Sequence, residues 1–353
     1  SAADISVSQI NLSWSASSDN DKVAGYKIYR NGSQIDTVVN TEYNDLGLTP
    51  NTAYTYSVSA YDSSGNESNK ISISTKTKYT DPSLISVDDF NYEGGFRIKK
   101  SDAGESKTGY AEGPIEYNPD NHSLFLVGHA HDQAIAEFPI PEIASTTDVS
   151  KMNITDPPIQ GFSKVINRTS SSSDMNRLSG IKYFPQTKEM LVNGYEYYDA
   201  SGSTEYNTFV IRDATDIASS TIDGLFKIKG EERAAGWVSP IPQEWQSELG
   251  GKWITGWASN MPIAHRASMG PSAFVFNPYD VVEEATVTEP IQTTEVLGFS
   301  NSNRLHDDLR NKSENNDLWT WESEAHYGFI VPDTDTYVTI GRSGGHGPVV
   351  SKS

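Results

Sequence analysis

Cysteine is absent from this chain of 353 residues, so disulfides and thiolate chemistry play no part in its stability or function. A chain this long can bury a sizeable core without such staples, and the absence leaves the compartment open. Positive charge is also scarce, with 27 Lys and Arg against 47 Asp and Glu and a net charge of −20. Nucleic acid needs a basic surface that displaces its counterions, so that partner is excluded. No run approaches the roughly 20 apolar residues of a spanning helix, and no membrane insertion is expected. The Gly-rich phosphate loop, the dinucleotide glycine motif and the His-Glu-x-x-His zinc motif are all missing.

Aromatic and turn-forming residues are plentiful: 18 Tyr, 12 Phe and 7 Trp, with 27 Gly and 17 Pro. That profile predicts an all-β chain of many short strands. Ile10, Leu12 and Trp14 alternate with polar neighbours. Gly25 to Arg30 reads as a strand running into Asn31-Gly32, a strong hairpin signal. Tyr54, Tyr56, Val58 and Ala60 share one strand face, with Trp14 and Tyr54 expected to be buried. Leu48 and Tyr54 fit a corner in which a Tyr hydroxyl bonds to upstream backbone. Through Trp14 and the Leu48-to-Ala60 motif, residues 1–77 resemble the fibronectin type III family. The resemblance implies a sandwich with a clipped first strand, a spacer or presentation module without catalytic residues. A module over 1–79 and a second domain over 83–353 are expected, separated by the polar, Pro-ended linker from Lys76 to Pro82.

The second domain repeats itself. Pro119 to Gly128, Pro185 to Gly194 and Pro332 to Gly341 align, with Pro and Gly nine apart in each, and a diverged copy ends at Gly256 after an insertion rich in helix formers at Gln243–Leu249. Short apolar strands precede the three Pro residues, over 113–117, 180–184 and 328–331, and further strands over 135–143, 208–217 and 273–281 follow Gly128, Gly194 and Gly256. The glycines stand 66, 62 and 85 residues apart, which suits four-stranded blades with long loops. Four marked repeats plus residues 83–110 predict a β-propeller of about five blades. The last marker stands 12 residues before the end, so a final strand lies outside this sequence or the domain's own first strand closes the ring.

His129, Tyr195, Trp257 and Arg342 follow the marker glycines, and equivalent positions in a radial repeat should ring one region. The alternative is that each glycine marks a bulge and its successor packs between blades. His129 and His131 lie on one side of an extended strand, a spacing that can hold a structural divalent metal or form a hydrogen-bonded structural pair. No other cofactor is implied. Tyr195 and Tyr197 share a face, as a sugar platform or as cross-strand packing. The loop pair His265-Arg266 offers local positive charge, or an ordinary salt bridge. His129, Tyr195 and His265 are therefore the catalytic candidates, and Trp257, Arg266, Arg342 and Tyr197 the substrate-binding ones.

The repeat architecture, with His129, Tyr195, Arg212 and His265 in order, is similar to secreted bacterial β-propellers, among them polysaccharide lyases of the ulvan lyase type. That resemblance implies a secreted monomer cleaving uronic-acid-containing glycans by β-elimination. An Arg or His would neutralise the carboxylate, a Tyr or His would remove the adjacent proton, and another would protonate the leaving oxygen. The rival class is a non-catalytic glycan-binding or adhesion protein of a cell surface or phage fibre.

Overall fold

Alternation in the first eighty residues becomes seven antiparallel strands: β1 (Ala2–Asp4), β2 (Gln9–Ser13), β3 (Val23–Arg30), β4 (Ser33–Val38), β5 (Glu42–Leu46), β6 (Ala53–Asp62) and β7 (Ile71–Lys76). They form two sheets, β1-β2-β5 and β4-β3-β6-β7. The computed structural model describes residues 2–4, 9–20, 22–49, 52–77, 85, 89–169, 174–199, 204–259, 268–284, 286–300, 302–316 and 318–342. Its chain divides into two units, Ser1–Ile85 and Ser86–Ser353.

Asn31 and Gly32 turn the β3–β4 hairpin with φ of 52° and 86°, the left-handed pair that a tight hairpin demands. The Thr49 amide donates to the Tyr54 hydroxyl at 3.0 Å, making the expected corner. Ile10, Leu12, Tyr26, Ile28, Leu48 and Tyr56 fill the core. Trp14 and Tyr54 are only half-buried. Trp14 follows the end of β2 and lies edge-on to Tyr26 at 5.3 Å, while Tyr54 spends its hydroxyl at the rim. The fully buried ring is Tyr56, whose hydroxyl donates to Asp45 at 2.6 Å. Arg30 meets both Asp45 oxygens at 2.9 Å, so this buried carboxylate is paired as burial requires.

The second unit opens with two-residue strands, β8 (Phe96–Arg97), β9 (Asp102–Ala103) and β10 (Ser106–Lys107), where a further blade was expected. Four larger sheets follow. The first contains β11 (Ile115–Asn118), β12 (Ser123–Val127) and β13 (Ala134–Pro139); β14 (Asn153–Ile154) leaves it to pair with β8, and β15 (Gln160–Lys164) completes it. The second is β16 (Arg177–Phe184), β17 (Glu189–Tyr195), β18 (Tyr206–Ile211) and β19 (Ile222–Lys227). The third begins with β20 (Trp237–Pro240), passes through helix α1 (Gln243–Leu249), and continues with β21 (Trp253–Gly256). The chain then crosses into the fourth sheet as β22 (Ala258–Ser259) and returns for β23 (Ala273–Phe276) and β24 (Thr293–Leu297). β25 (Glu324–Ile330) and β26 (Tyr337–Arg342) join β22 in the fourth.

The three aligned Pro-to-Gly segments lie in three different sheets, each as a first hairpin. Successive sheets pack on one another in order, β11 on β16, β16 on β20 and β20 on β25. Apolar layers fill the gaps between successive sheets. Phe125 and Ile135 meet Ile181 and Val192, and Phe184 and Leu191 meet Val238 and Phe274. Trp237 and Ile254 meet Ile330.

The marker glycines have a geometric cause. Gly194 pairs with Leu178 beside a bulge at Leu178/Gly180, and Gly341 pairs with Ala325 beside a bulge at Ala325/Tyr327. A Cβ on Gly194 would stand 2.5 Å from the Arg177 carbonyl oxygen, and one on Gly341 would strike the Glu324 carbonyl. Only glycine lets the bulged backbone approach so closely.

Candidate functional site

At the marker-glycine end of the sheets, Tyr195 and Trp257 meet as tilted rings, 5.2 Å between centroids and 31° apart in plane. Each directly follows a marker glycine, so the end of β17 and the exit of β21 deliver the two rings to one place. Both are buried, and Tyr197 packs against them. Burial pushes the Tyr195 phenol well above its usual range, helped by the charges of Glu112 and Glu324. Tyr195 therefore stays protonated at ordinary pH and can give a proton but not take one.

His326 stands edge-on to Trp257 at 4.8 Å. Its Nε2 lies 2.9 Å from Glu324 Oε2, and the Arg342 guanidinium donates to Glu324 Oε1 at 3.1 Å. Burial alone would raise the Glu324 carboxyl, but the His326 hydrogen bond and the charge of Arg342 outweigh it and bring it below the carboxylate range. An ionised carboxylate only accepts, so Nε2 carries the proton and Nδ1 is the basic nitrogen. Arg177 pairs directly across from Tyr195 at the start of β16, its guanidinium 4.8 Å from the centre of the Tyr197 ring. A cleft of about 40 Å³ opens among Glu112, Gln133, Arg177, Tyr195, Trp257 and His326.

Tyr195, Trp257 and Arg342 are thus linked, Arg342 through Glu324 and His326. His129 sits apart from the stack. Its Nδ1 accepts from the His131 amide at 3.2 Å, its ring lies 6.1 Å from Tyr110, and its own amide donates to Ser106. It borders the cleft through backbone bonds, since Gln133 N–H donates to its carbonyl. Among the described residues no three His, Asp or Glu side chains are grouped as a metal would need, and His131 has His129 for its nearest ring partner. Arg212 lies at the far end of its sheet, held by Glu189 at 2.7 Å and Asp223 at 2.6 Å, in an ion-pair network away from the cleft. His265 and Arg266 fall outside the described residues.

Arg177 and His326 went unnoticed in the sequence. Register alone pairs Arg177 with Tyr195, and the bulge at Ala325/Tyr327 decides which way His326 faces. The one available signal was Glu324-Ala325-His326, an acid and an imidazole two apart in a strand. Glu232 is fully buried near Asp199 and Glu196. Burial first, then the charge of Asp199, push its carboxyl up to about 8.

The fibronectin type III domain family matches residues 1–76. Residues 1–76 are a fibronectin type III domain. Around this domain the chain is 49% identical over 73 residues to an alpha-amylase of Niallia circulans, covering 21% of this chain and 6% of that enzyme. It is 46% identical over 61 residues to chitinase C of Streptomyces lividans, covering 17% and 10%. It also matches a gellan lyase of a Bacillus species at 49% over 55 residues, covering 15% and 2%. Among solved structures, chitinase ChiA74 from Bacillus thuringiensis is 29% identical over 22% of this chain and 13% of that one, with a TM-score of 0.21. The chain spans 6 to 10% of the length of the first three curated relatives.

Proposed function

We propose that the second unit is a β-propeller and that its Tyr195 end acts outside the cell on polysaccharide containing uronic acid, cleaving it by β-elimination. The observation that carries this reading is the Glu324–His326 pair set against Trp257, beside Tyr195 and Arg177. The packing of each sheet on the next in chain order and the apolar layers between sheets support the propeller. Support for a glycan substrate comes from the relatives, which share the fibronectin type III domain and are named alpha-amylase, chitinase and gellan lyase.

In this reading Arg177 takes the uronate carboxylate, withdrawing charge and acidifying the neighbouring C5–H. His326 Nδ1 removes that proton, and the electron pair forms the C4=C5 double bond as the C4–O bond breaks. Tyr195, kept protonated by burial, gives its proton to the departing oxygen. Arg342 holds Glu324 ionised, and Glu324 fixes the His326 tautomer. His129, His131 and Tyr110 extend the rim toward the next sugar. The cationic and imidazole groups gathered here make a polyanionic substrate acceptable to a chain of net charge −20.

A cleft of about 40 Å³ admits little more than a water, which favours a second reading, glycan binding at the rim without chemistry. Incubating the protein with uronic-acid polysaccharides separates the two. A rise in the unsaturated-uronate absorbance establishes the lyase. Retention on the polymer without that rise, lost in Arg177→Gln, establishes the binder; neither signal on any uronic-acid polymer, or retention that survives Arg177→Gln, overturns both.

A further inference from the structure

At the opposite end of the same sheets lies a groove that takes no part in this chemistry. Register fixes the two ends: Arg177 pairs with Tyr195 but Phe184 with Glu189, and Trp237 pairs with Gly256 but Pro240 with Trp253. The eight residues of β16, at about 3.3 Å per step, set those ends about 23 Å apart. Two adjoining hollows of about 720 and 500 Å³ share Trp253 and Tyr279. Each lies in the size range of small-ligand sites, unlike the cleft at Tyr195.

Trp253 and Tyr279 are half-buried, and each packs on Phe184 at 5.5 Å. That anchorage holds both rings while leaving part of each open, the condition for stacking on the C–H face of a sugar. Lys229 and Lys252 flank the larger hollow and are exposed. Neither forms an ion pair among the described residues, whereas Lys182, Lys188 and Lys227 are each bound to a carboxylate. Two uncommitted ammonium groups in a molecule of net charge −20 form a local attraction for an anion. Asp280 is the one acid on the lining of the larger hollow, its carboxylate bonded by the Asn277 amide at 2.6 Å, and Glu116 on the smaller one is paired with Lys182.

We propose that this groove is a second glycan site, taking an anionic pyranose with its ring against Trp253 and Tyr279 and its carboxylate or sulfate on Lys229 and Lys252. It is independent of the Tyr195 end and would hold a polymer while another stretch is processed or bound there.

The test is calorimetric titration of the intact chain carrying Arg177→Gln and His326→Ala, which silence the Tyr195 end. The probes are tetragalacturonate, a sulfated carrageenan tetrasaccharide and neutral cellotetraose. Binding of at least one anionic probe, with cellotetraose at least tenfold weaker, is expected; the stronger of the two identifies carboxylate or sulfate. Adding Lys229→Gln and Lys252→Gln should weaken the anionic probe at least tenfold, with circular dichroism unchanged. Trp253→Phe, which keeps the packing on Phe184, should weaken it less. Equal binding of cellotetraose, affinity untouched by the lysine changes, or no heat from either anion at millimolar concentration would overturn the proposal. The lysine changes made in the otherwise unaltered chain leave any lyase activity on short substrates intact, so the two readings fail separately.

Discussion

Glu232 is the residue at which burial has the clearest thermodynamic consequence. Unfolded, its carboxyl ionises near 4.5; folded, near 8. Between those values the folded chain holds the extra proton, so stability that is full below about pH 4.5 is lost as pH rises toward 8. Glu232→Gln is expected to flatten that decline, read as the urea midpoint of the second unit at pH 5 and pH 8; an unchanged slope would contradict the burial argument. Tyr195 follows the same physics to a functional end. Tyr195→Phe removes the only proton it can give and should lower any lyase turnover by at least about 100-fold, the size of a lost general acid, with stability nearly unchanged. The pairing of Tyr195 with Trp257 was legible because each follows a marker glycine. Arg177 and His326 were not, because cross-strand register and a backbone bulge, neither visible in residue order, bring them in.

At the level of elements, the Pro-to-Gly hairpins were readable because turn chemistry and strand alternation agree over the same ten residues. Helix α1 occupies the insertion expected to be rich in helix formers, closed by Gly250 at φ 75°. The segment before β11 was less readable. It was expected to supply a blade, but its described strands are the two-residue hairpin β9–β10 and β8, which pairs with the later β14. The β8 pairing depends on a distant partner rather than local pattern. Gly194→Ala is expected to destabilise the second unit by roughly 1–3 kcal/mol, as overpacking does, since the added methyl meets the Arg177 carbonyl. A neutral change in denaturant midpoint would show that the bulge yields. In the fibronectin type III domain the half-buried Trp14 should cost about 1–3 kcal/mol when cut to Ala, short of a full core truncation. A loss above that range would mean Trp14 is buried more deeply in solution.

Across the whole molecule, the chain divides into Ser1–Ile85 and Ser86–Ser353, and each unit has apolar clusters of its own among the described residues. Residues 1–77 alone should therefore unfold cooperatively, and the full chain should show two calorimetric transitions, one matching the isolated domain. A single transition would contradict independent cores. The function assigned to the second unit depends above all on His326 acting as a base at a uronate. Its most direct test is kcat/KM on a uronic-acid oligosaccharide, followed at the unsaturated-product band, for the native chain and for His326→Gln. The expected result is a fall of at least about 100-fold carried by kcat, with the fold unchanged by circular dichroism. Product formation at the native rate in His326→Gln would contradict it.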